Sequence, residues 1–486
     1  MCNEDRRGKP LQGYTGIDHN SFGNGAWGWR TSAHPQRTSF FNWSSAAWSS
    51  GGCAIPKLFP FSTVHFMTIA GATRVTICGG GLIGSAVARS IARAAPSGVS
   101  TLLLDSNPPS TCATARSAGM VIQVSSSVSK SAMVKRTLQG ISDLADEFDD
   151  EASVGFTKTG TIRIAFSEGN ITRLCEDHEK SSKAGVFSRW ISPEEASAMC
   201  PFLSLPSTAK VLFTPDDGYV DPCVLAGSYL ASARNAGLET RFNTSVQSLE
   251  MTETNVISAV IASDGQRYLT DLAVDCGGVW AGLLGHQSAA NFEPLSMAPT
   301  RSHYWIATAS DDSFPRNHPN VILPDLQIYT RPSPSGIILG VQENSSVTLD
   351  PTTLEISPES HAILDCMENE VMSELLGAKY TEISEVIPAL ENLELNNYVS
   401  GLSSYTLDGR YIIGNQGPNL YVASGCNGSG VAAAGGIAEL MAQGLTAGRF
   451  PSEFSPSRFM ALGSKIFDKE FRGRCAAARS SKFQSR

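Results

Sequence analysis

Residues 75–105 read VTICGGGLIGSAVARSIARAAPSGVSTLLLD. The short apolar run Val75–Cys78 precedes a glycine cluster and a segment of small residues, which indicates a strand, a turn and a helix. A second apolar run, Thr101–Leu104, ends in Asp105. This order of strand, glycine loop, helix, strand and acid is the arrangement that binds an adenine dinucleotide. The alternative is a glycine-rich turn in an unrelated α/β protein.

The glycines of this loop have separate tasks. Gly79 permits a tight turn after the strand, Gly81 lets the backbone approach a pyrophosphate, and Gly84 lets the helix pack against the sheet. The helix N-terminus then offers N–H groups to the phosphates. Asp105 lies 21 residues after Gly84, close to the spacing of the acid that binds ribose hydroxyls, and its charge would repel a 2′-phosphate. We therefore do not expect NADP, although a solvated strand-end carboxylate is the alternative for Asp105.

Later segments separate NAD from FAD. They are Ser110–Met120 (STCATARSAGM), Gly401–Gly414 (GLSSYTLDGRYIIG) and Asn419–Gly430 (NLYVASGCNGSG), with Asp217–Pro222 and Val274–Trp280 between them. In content and order this set resembles the D-amino acid oxidase-like flavoprotein family, which includes sarcosine oxidases, glycine oxidase, dimethylglycine dehydrogenase and D-amino acid dehydrogenases. The resemblance covers about residues 73–445.

The resemblance implies an α/β fold, with a GxGxxG FAD-binding Rossmann-like domain and an interleaved mixed-sheet substrate domain. FAD would be extended, with the backbone of Val246 at the adenine and the turn Gly428–Gly430 directing N–H groups at the flavin's pyrimidine oxygen. Such donors stabilise the negative charge of a reduced flavin. The implied cofactor-binding residues are Gly79, Gly81, Ile83, Gly84, Asp105, Ser106, Ala115, Arg116, Ser117, Ala118, Gly119, Val246, Gly277, Trp280, Gly428, Ser429 and Gly430.

Two departures from the family pattern concern attachment of the flavin. Dimethylglycine dehydrogenase carries a flavin-linked histidine where this chain has Arg116. Sarcosine oxidases use a cysteine seven residues before the aspartate that matches Asp408, and Gly401 stands at that position here. We therefore expect noncovalent FAD.

Other departures concern the substrate and the electron acceptor. Ser403 stands where many relatives have an arginine for the substrate carboxylate. The resemblance implies Arg301 and Tyr329 as its catalytic replacements, since both stand at positions that resemble a carboxylate-contacting arginine and tyrosine of a D-amino acid dehydrogenase, and arginine can bind a carboxylate with two hydrogen bonds. The alternative to a catalytic role is that Arg301 is a surface residue of its strand and that Tyr329 is a half-buried strand residue. His303, which alternates with Arg301 on one strand face, is a weaker catalytic candidate. Ile338 matches an oxygen-activating lysine of sarcosine oxidases, so its identity favours a dehydrogenase.

Composition narrows the class of protein. A chain of 486 residues with 42% hydrophobic and 17% charged residues suits an enzyme with more than one domain. Its net charge of −9 disfavours nucleic acid as a partner, and glycines interrupt the longest uncharged run, Tyr411–Ala438, so we expect no membrane span. Eleven cysteines without a CxxC pair, and histidines without HExxH, indicate reduced thiols and no metal site. We expect an intracellular, cytoplasmic protein, with mitochondria as the alternative.

Each of the two domains is predicted to consist of segments that are separated along the chain. Residues 1–66 differ in composition and are interpreted as a disordered extension, with a targeting segment as the alternative. The FAD-binding domain is predicted at 67–150, 210–297 and 399–463, the substrate domain at 151–209 and 298–398, and a loose tail at 464–486.

The predicted function is FAD-dependent oxidation of a carbon–nitrogen bond in a small amine or amino acid, by hydride transfer to flavin N5. The sequence does not identify the electron acceptor. Two alternatives stay open. One is a non-catalytic flavoprotein that assists assembly of another complex, and it is motivated by Ser403. The other is an NAD-linked dehydrogenase that uses only the first loop.

Overall fold

The computed structural model describes residues 68–288, 292, 295–334, 336–354, 369–462 and 468–480. The expected extension 1–66 lies outside these residues, as do 463–467 and 481–486 of the expected tail. The strands are β1 (Arg74–Cys78), β2 (Ser100–Leu104), β3 (Met120–Val121), β4 (Phe156–Lys158), β5 (Thr161–Ala165), β6 (Arg189–Ile191), β7 (Lys210–Thr214), β8 (Gly218–Val220), β9 (Leu238–Arg241), β10 (Val246–Met251), β11 (Ile257–Ala262), β12 (Arg267–Leu269), β13 (Leu272–Asp275), β14 (Met297–Ala309), β15 (Asn320–Leu323), β16 (Ile328–Ser333), β17 (Gly336–Val341), β18 (Leu393–Thr406), β19 (Ile412–Asn415) and β20 (Leu420–Ser424). The α-helices are α1 (Leu82–Ala94), α2 (Val128–Phe148), α3 (Glu168–Lys183), α4 (Pro193–Met199), α5 (Pro222–Asn235), α6 (Leu283–Gln287), α7 (369–378), α8 (Tyr380–Val386), α9 (Gly430–Ala447) and α10 (Lys469–Ser480).

A six-stranded sheet carries the glycine loop. Its strand order is β19-β20-β13-β1-β2-β9, and the pairs from β20 to β9 are parallel. The central strands β1, β13 and β20 are apolar runs buried on both faces, as is typical of parallel sheets covered by helices. Helices α1, α2, α5 and α9 share one apolar core with this sheet. The sheet thereby brings the carboxyl ends of β1 and β13 together, each followed by a glycine-containing turn.

A second, eight-stranded sheet is mixed. Its order is β18-β14-β17-β16-β15-β5-β7-β6, with β15 and β5 parallel and the other pairs antiparallel. Its apolar face packs on a separate core that includes Trp305 and residues of α4, α7 and α8. The predicted α/β class with a mixed second sheet is confirmed. Among the described residues, no helix is both long enough and apolar enough to cross a bilayer.

Two segments of the chain differ in structure from what the expected domain boundaries imply. Lys210–Thr214, expected to return to the FAD-binding domain, forms β7 of the eight-stranded sheet because its apolar residues pair with β5. Lys469–Ser480, expected in a loose tail, forms α10, and Phe471, Cys475 and Ala476 are buried on one side of it. The division into an FAD-binding and a substrate domain stays a prediction.

Candidate functional site

The loop between β1 and α1 is held by close backbone contacts. Gly79 has a φ of +108°, and a Cβ built on it would lie 2.5 Å from the carbonyl oxygen of Cys276. A Cβ on Gly84 would lie 1.8 Å from the carbonyl oxygen of Gly79. Side chains are therefore excluded at both positions, and the loop lies directly against the turn that follows β13. Such a loop presents its backbone N–H groups to a ligand rather than side chains.

Asp105, at the end of β2, fixes the shape of this loop. Its Oδ2 accepts a 2.6 Å hydrogen bond from the Gly80 N–H, and its Oδ1 accepts a 2.8 Å bond from the Asn107 N–H. Burial raises the pKa of this carboxyl, while the two backbone donors oppose that shift. Each carboxylate oxygen has a further lone pair, so the side chain retains acceptor capacity for ribose hydroxyls. At the start of α1, Thr114 Oγ1 accepts a 2.9 Å bond from the Leu82 N–H.

The turn after β13 is organised by a buried carboxylate. Asp275 accepts hydrogen bonds from the N–H groups of Gly277, at 2.9 Å, and Gly282, at 2.8 Å. Burial raises the pKa of Asp275 to about 6. The carboxylate thus closes the segment that contains Gly277 and Trp280 and holds it beside the glycine loop.

A second helix N-terminus faces the same cleft. Helix α9 begins at Gly430 with no side-chain cap from Ser429, so the N–H groups of its first turn are available to a ligand. Gly428 has a φ of +71°, and a Cβ there would lie 2.3 Å from the hydroxyl oxygen of Tyr405. The Ser429 and Tyr411 hydroxyls are 3.1 Å apart. This turn combines oriented N–H donors with a positive dipole, which suits an acceptor that gains negative charge.

The segment after β2 crosses the cleft between these two ends. Arg116 Nη1 donates a 2.7 Å hydrogen bond to the Ser400 carbonyl of β18. Gly119 has a φ of +69°, and a Cβ there would lie 2.2 Å from the Val220 carbonyl oxygen. These contacts tie the segment to the eight-stranded sheet through Ser400 and to the end of β8 through Val220.

One cleft of 1560 Å³ joins all of these features. Of the cofactor-binding residues predicted from the sequence, all but Ala115 line it, and Ala115 is exposed. The glycine cradle, the two helix N-termini and the elongated cleft between them fit an extended dinucleotide, and therefore fit FAD. Residues that the sequence reasoning missed include Thr114, Asn107 and Tyr405, which also line the cleft.

Comparison with protein-family models gives a match over residues 74–444, to the family described as FAD dependent oxidoreductase. The chain belongs to the FAD dependent oxidoreductase family. The family predicted from the sequence motifs is thereby confirmed, and FAD is its cofactor.

Curated relatives are distant. The chain is 26% identical over 446 residues to the mitochondrial pyruvate dehydrogenase phosphatase regulatory subunit of Mus musculus, covering 88% of this chain and 47% of that protein. It is 23% identical over 377 residues to 4-methylaminobutanoate oxidase (formaldehyde-forming) of Paenarthrobacter nicotinovorans, covering 77% of this chain and 44% of that protein. The chain thus spans less than half the length of these relatives.

Solved structures share the fold over nearly their whole length. L-proline dehydrogenase from P. horikoshii has a TM-score of 0.67 at 21% identity, covering 80% of this chain and 98% of that one. Glycine oxidase from Geobacillus kaustophilus has a TM-score of 0.63 at 21% identity, covering 79% and 99%.

In this family member, residues of the eight-stranded sheet also line the cleft and form its wall. Of the two residues predicted as catalytic, only one lines this wall. Tyr329 lines the cleft, and its hydroxyl donates a 3.3 Å hydrogen bond to the His303 carbonyl. Arg301 does not line the cleft; it is 5% exposed, and its Nη1 donates to Ser400 Oγ at 3.2 Å. Ile338 is also buried outside the cleft lining. The structure therefore brings Tyr329, but not Arg301, to the cleft.

A buried ionic cluster borders the same wall. His303 Nε2 donates to the Val341 carbonyl at 2.7 Å and lies 3.7 Å from a carboxylate oxygen of Glu343. Burial lowers the pKa of His303 to about 4, although Glu343 raises it, so the imidazole is neutral at pH 7. Glu343 in turn forms a two-point ion pair with Arg479 of α10. The sequence reasoning missed Arg479, although Phe471, Cys475 and Arg479 recur at helical spacing.

Proposed function

We propose that this chain oxidises a carbon–nitrogen bond of a small amine or amino acid. The observation that carries the proposal is the single cleft that runs from the dinucleotide loop, past the first turn of α9, to a wall of tyrosines on the eight-stranded sheet. Bound FAD would accept the hydride at N5, and the resulting imine would hydrolyse in water. The name of the Paenarthrobacter relative supports an amine or amino-acid substrate, because that protein is called a methylaminobutanoate oxidase.

The residues of the chain have two tasks in this proposal. The N–H groups at the start of α9 stabilise negative charge that develops at the far end of the cleft. Tyr304, Tyr329 and Tyr405 line the cleft and form a largely apolar wall that excludes water from the reacting carbon. Burial raises the pKa of Tyr329 and of Tyr405, so both phenols stay protonated and can donate hydrogen bonds.

The test is anaerobic bleaching of the flavin absorbance by a panel of amines. We expect at least one of glycine, D- or L-alanine, L-proline, N-methylglycine, N,N-dimethylglycine or 4-methylaminobutanoate to bleach it. Trimethylglycine is the matched control, since its nitrogen has no lone pair to form the imine and it should leave the absorbance unchanged. Admission of air then reports whether oxygen restores the colour. Full flavin occupancy with no bleaching by any of these amines would contradict the proposal.

A regulatory role without turnover is the second candidate. It is favoured by the name of the mouse relative, a phosphatase regulatory subunit whose match covers 88% of this chain. The assembly-factor and NAD-linked alternatives gain no support from the comparisons. A chain that binds FAD, and whose flavin no amine reduces, would favour the regulatory candidate over the oxidase.

The cellular location is part of the same proposal. We infer an intracellular protein because its eleven cysteines are scattered without a CxxC pair. Relatives such as mouse sarcosine dehydrogenase, which is named as mitochondrial, support mitochondria as the compartment. Fluorescence microscopy of the tagged full chain in its own cells tests this location.

A further inference from the structure

Helix α10 packs on the strands β14 and β18 of the cleft wall. The side chains of Phe471, Cys475 and Arg479 lie four residues apart and are all buried, which gives the helix one inward face. The Arg479 carbonyl accepts a hydrogen bond from the Gln342 side chain, which fixes the last turn of the helix against the sheet. The helix is therefore an ordered part of the wall, and its inward face ends in a cation.

Three hydrogen bonds to the side chains of Glu343 and Ser302 hold the guanidinium of Arg479. Its Nε donates to Glu343 Oε1 at 3.0 Å, its Nη2 donates to Glu343 Oε2 at 2.8 Å, and its Nη1 donates to Ser302 Oγ at 3.1 Å. Arg479 lines the cleft, whereas Glu343 is not among the lining residues. Arg479 thus contacts Glu343, which lies outside the cleft lining, and borders the cleft together with Ser302.

This arrangement keeps a positive charge in a poorly hydrated place. Both side chains are nearly buried, at 10% exposure for Arg479 and 13% for Glu343, and a buried charge persists only when it is paired. Burial lowers the pKa of Arg479. Its interactions with Tyr405 and Glu343 raise the pKa by more than burial lowers it, so the net shift is upward. A guanidinium carries five N–H groups, so the three bonds above leave two for Tyr405 and a ligand.

The position of Arg479 also relates it to the flavin end of the cleft. Arg479 interacts with the side chain of Tyr405, and the Tyr405 hydroxyl lies against Gly428 in the turn before α9. The cation is therefore one side chain away from the turn that faces the cofactor. Ser403 lines the same cleft without a charge.

We propose that Arg479 binds the carboxylate of an amino-acid substrate, with Glu343 and Ser302 as its positioning residues. This inference rests on the proposed function for the identity of the ligand, but carboxylate binding is measurable without turnover. It also predicts a preference for amino acids over amines that lack a carboxylate. One charge-assisted hydrogen bond in such a site changes affinity by about tenfold or more.

The experiment titrates the FAD-bound protein with propanoate and, separately, with propanamide, its neutral isostere. The change in the visible flavin spectrum reports binding in both titrations. The wild type is expected to bind propanoate at least tenfold more tightly. Removing one partner of a buried ion pair destabilises a protein, so the main variant is the double change Arg479→Gln with Glu343→Gln, which leaves no lone charge. Arg479→Lys keeps the charge and tests the guanidinium geometry. Arg474→Gln is the matched control, because Arg474 is exposed on the same helix.

The expected result is that the double variant loses about tenfold in propanoate affinity, keeps its propanamide affinity and retains full FAD content, while Arg474→Gln matches the wild type. Arg479→Lys should lie between the two. Three results would overturn the inference: a wild type without preference for propanoate, a double variant that binds propanoate as the wild type does, or an equal loss for both probes. Bleaching by amines decides the proposed function separately, because these titrations involve no turnover.

Discussion

Gly401 lies directly against Arg116: a Cβ built on Gly401 would be 3.0 Å from the Cβ of Arg116. The resemblance to the family predicts a flavin-linking residue at one or the other of these positions in some members, and here both positions line the cleft. Neither a glycine nor a guanidinium forms the linkage that histidine or cysteine forms in those relatives. Neither of the two positions therefore offers a side chain for covalent attachment of the flavin.

We therefore predict that acid precipitation of the holoprotein releases all of its FAD into the supernatant. The measurement is the flavin absorbance of supernatant and pellet, with a covalent flavoprotein as the control for retention. Yellow colour that stays with the denatured pellet would show that another residue holds the flavin covalently.

Gly84→Ala should abolish FAD binding and destabilise the fold by about 3 kcal/mol, because the new Cβ would lie 1.8 Å from a backbone oxygen and α1 would have to move away from the loop. Gly227→Ala is the matched control, since Gly227 lies within α5 with nothing within 4 Å of a Cβ. That change should stabilise the helix by about 0.5–1 kcal/mol. FAD content and thermal unfolding measure both effects, and full FAD content in the Gly84→Ala variant would contradict the close contact.

Asp105→Asn should weaken FAD binding by about tenfold, because an amide nitrogen would replace one of the two oxygens that accept the Gly80 and Asn107 N–H groups. Quenching of FAD fluorescence by the apoprotein gives the affinity. The control is Asp264→Asn, since exposed Asp264 also accepts a backbone N–H, that of Gln266, in a turn away from the cleft. Equal FAD affinities for the two variants would show that Asp105 does not support the loop.

His318 should make the protein less stable as the pH falls. It is 1% exposed, its Nδ1 donates to the Pro319 carbonyl at 2.7 Å, and burial lowers its pKa from 6.5 to about 4. Between these values the unfolded chain binds the proton more readily than the folded chain does, so stability falls as the pH decreases through this window. The loss from pH 6.5 to pH 5 is about 1.6 kcal/mol, because the unfolded histidine is already half protonated at pH 6.5.

The measurement is urea unfolding of the wild type and of His318→Asn, whose amide can keep the bond to Pro319, at pH 6.5 and pH 5. The variant should lose about 1.6 kcal/mol less than the wild type over this interval, and the two should show parallel stability curves above pH 7. Comparing two proteins cancels the other titrating groups, such as Asp217, whose pKa burial raises to about 7. Identical losses in both proteins would contradict a neutral buried His318.

The dinucleotide loop was predictable because its determinants are local. A strand, a turn and a helix follow one another within residues 75–94, and each glycine is explained by contacts that such a turn always makes. Residues on the other motifs were predictable only through the resemblance to a family, since they reach the cleft from strands far apart in the chain. The structure places all of the predicted cofactor-binding residues except Ala115 on the cleft.

The substrate wall was less predictable. Strand alternation puts Arg301 and His303 on the face opposite to that of Ser302 and Tyr304, but the sequence does not say which face meets the cleft at each point. The pairing of Lys210–Thr214 with β5, and the packing of α10 on β14, depend on partners distant in the chain. The four-residue spacing within 469–480 could have indicated a helix there, but not the ionic partner of Arg479.

The floor of the cleft consists of neighbouring strands that are synthesised at very different times. Val75 pairs with Leu272, and Val274 pairs with Tyr421, so the sheet stays incomplete until the ribosome has passed residue 424. The first turn of α9 emerges later still. A nascent chain that stalls before residue 420 would therefore expose an unfinished parallel sheet, a state prone to aggregation until β20 is synthesised. Supply of the vitamin-derived cofactor would then act only once residue 430 has been synthesised, rather than on an early folding nucleus.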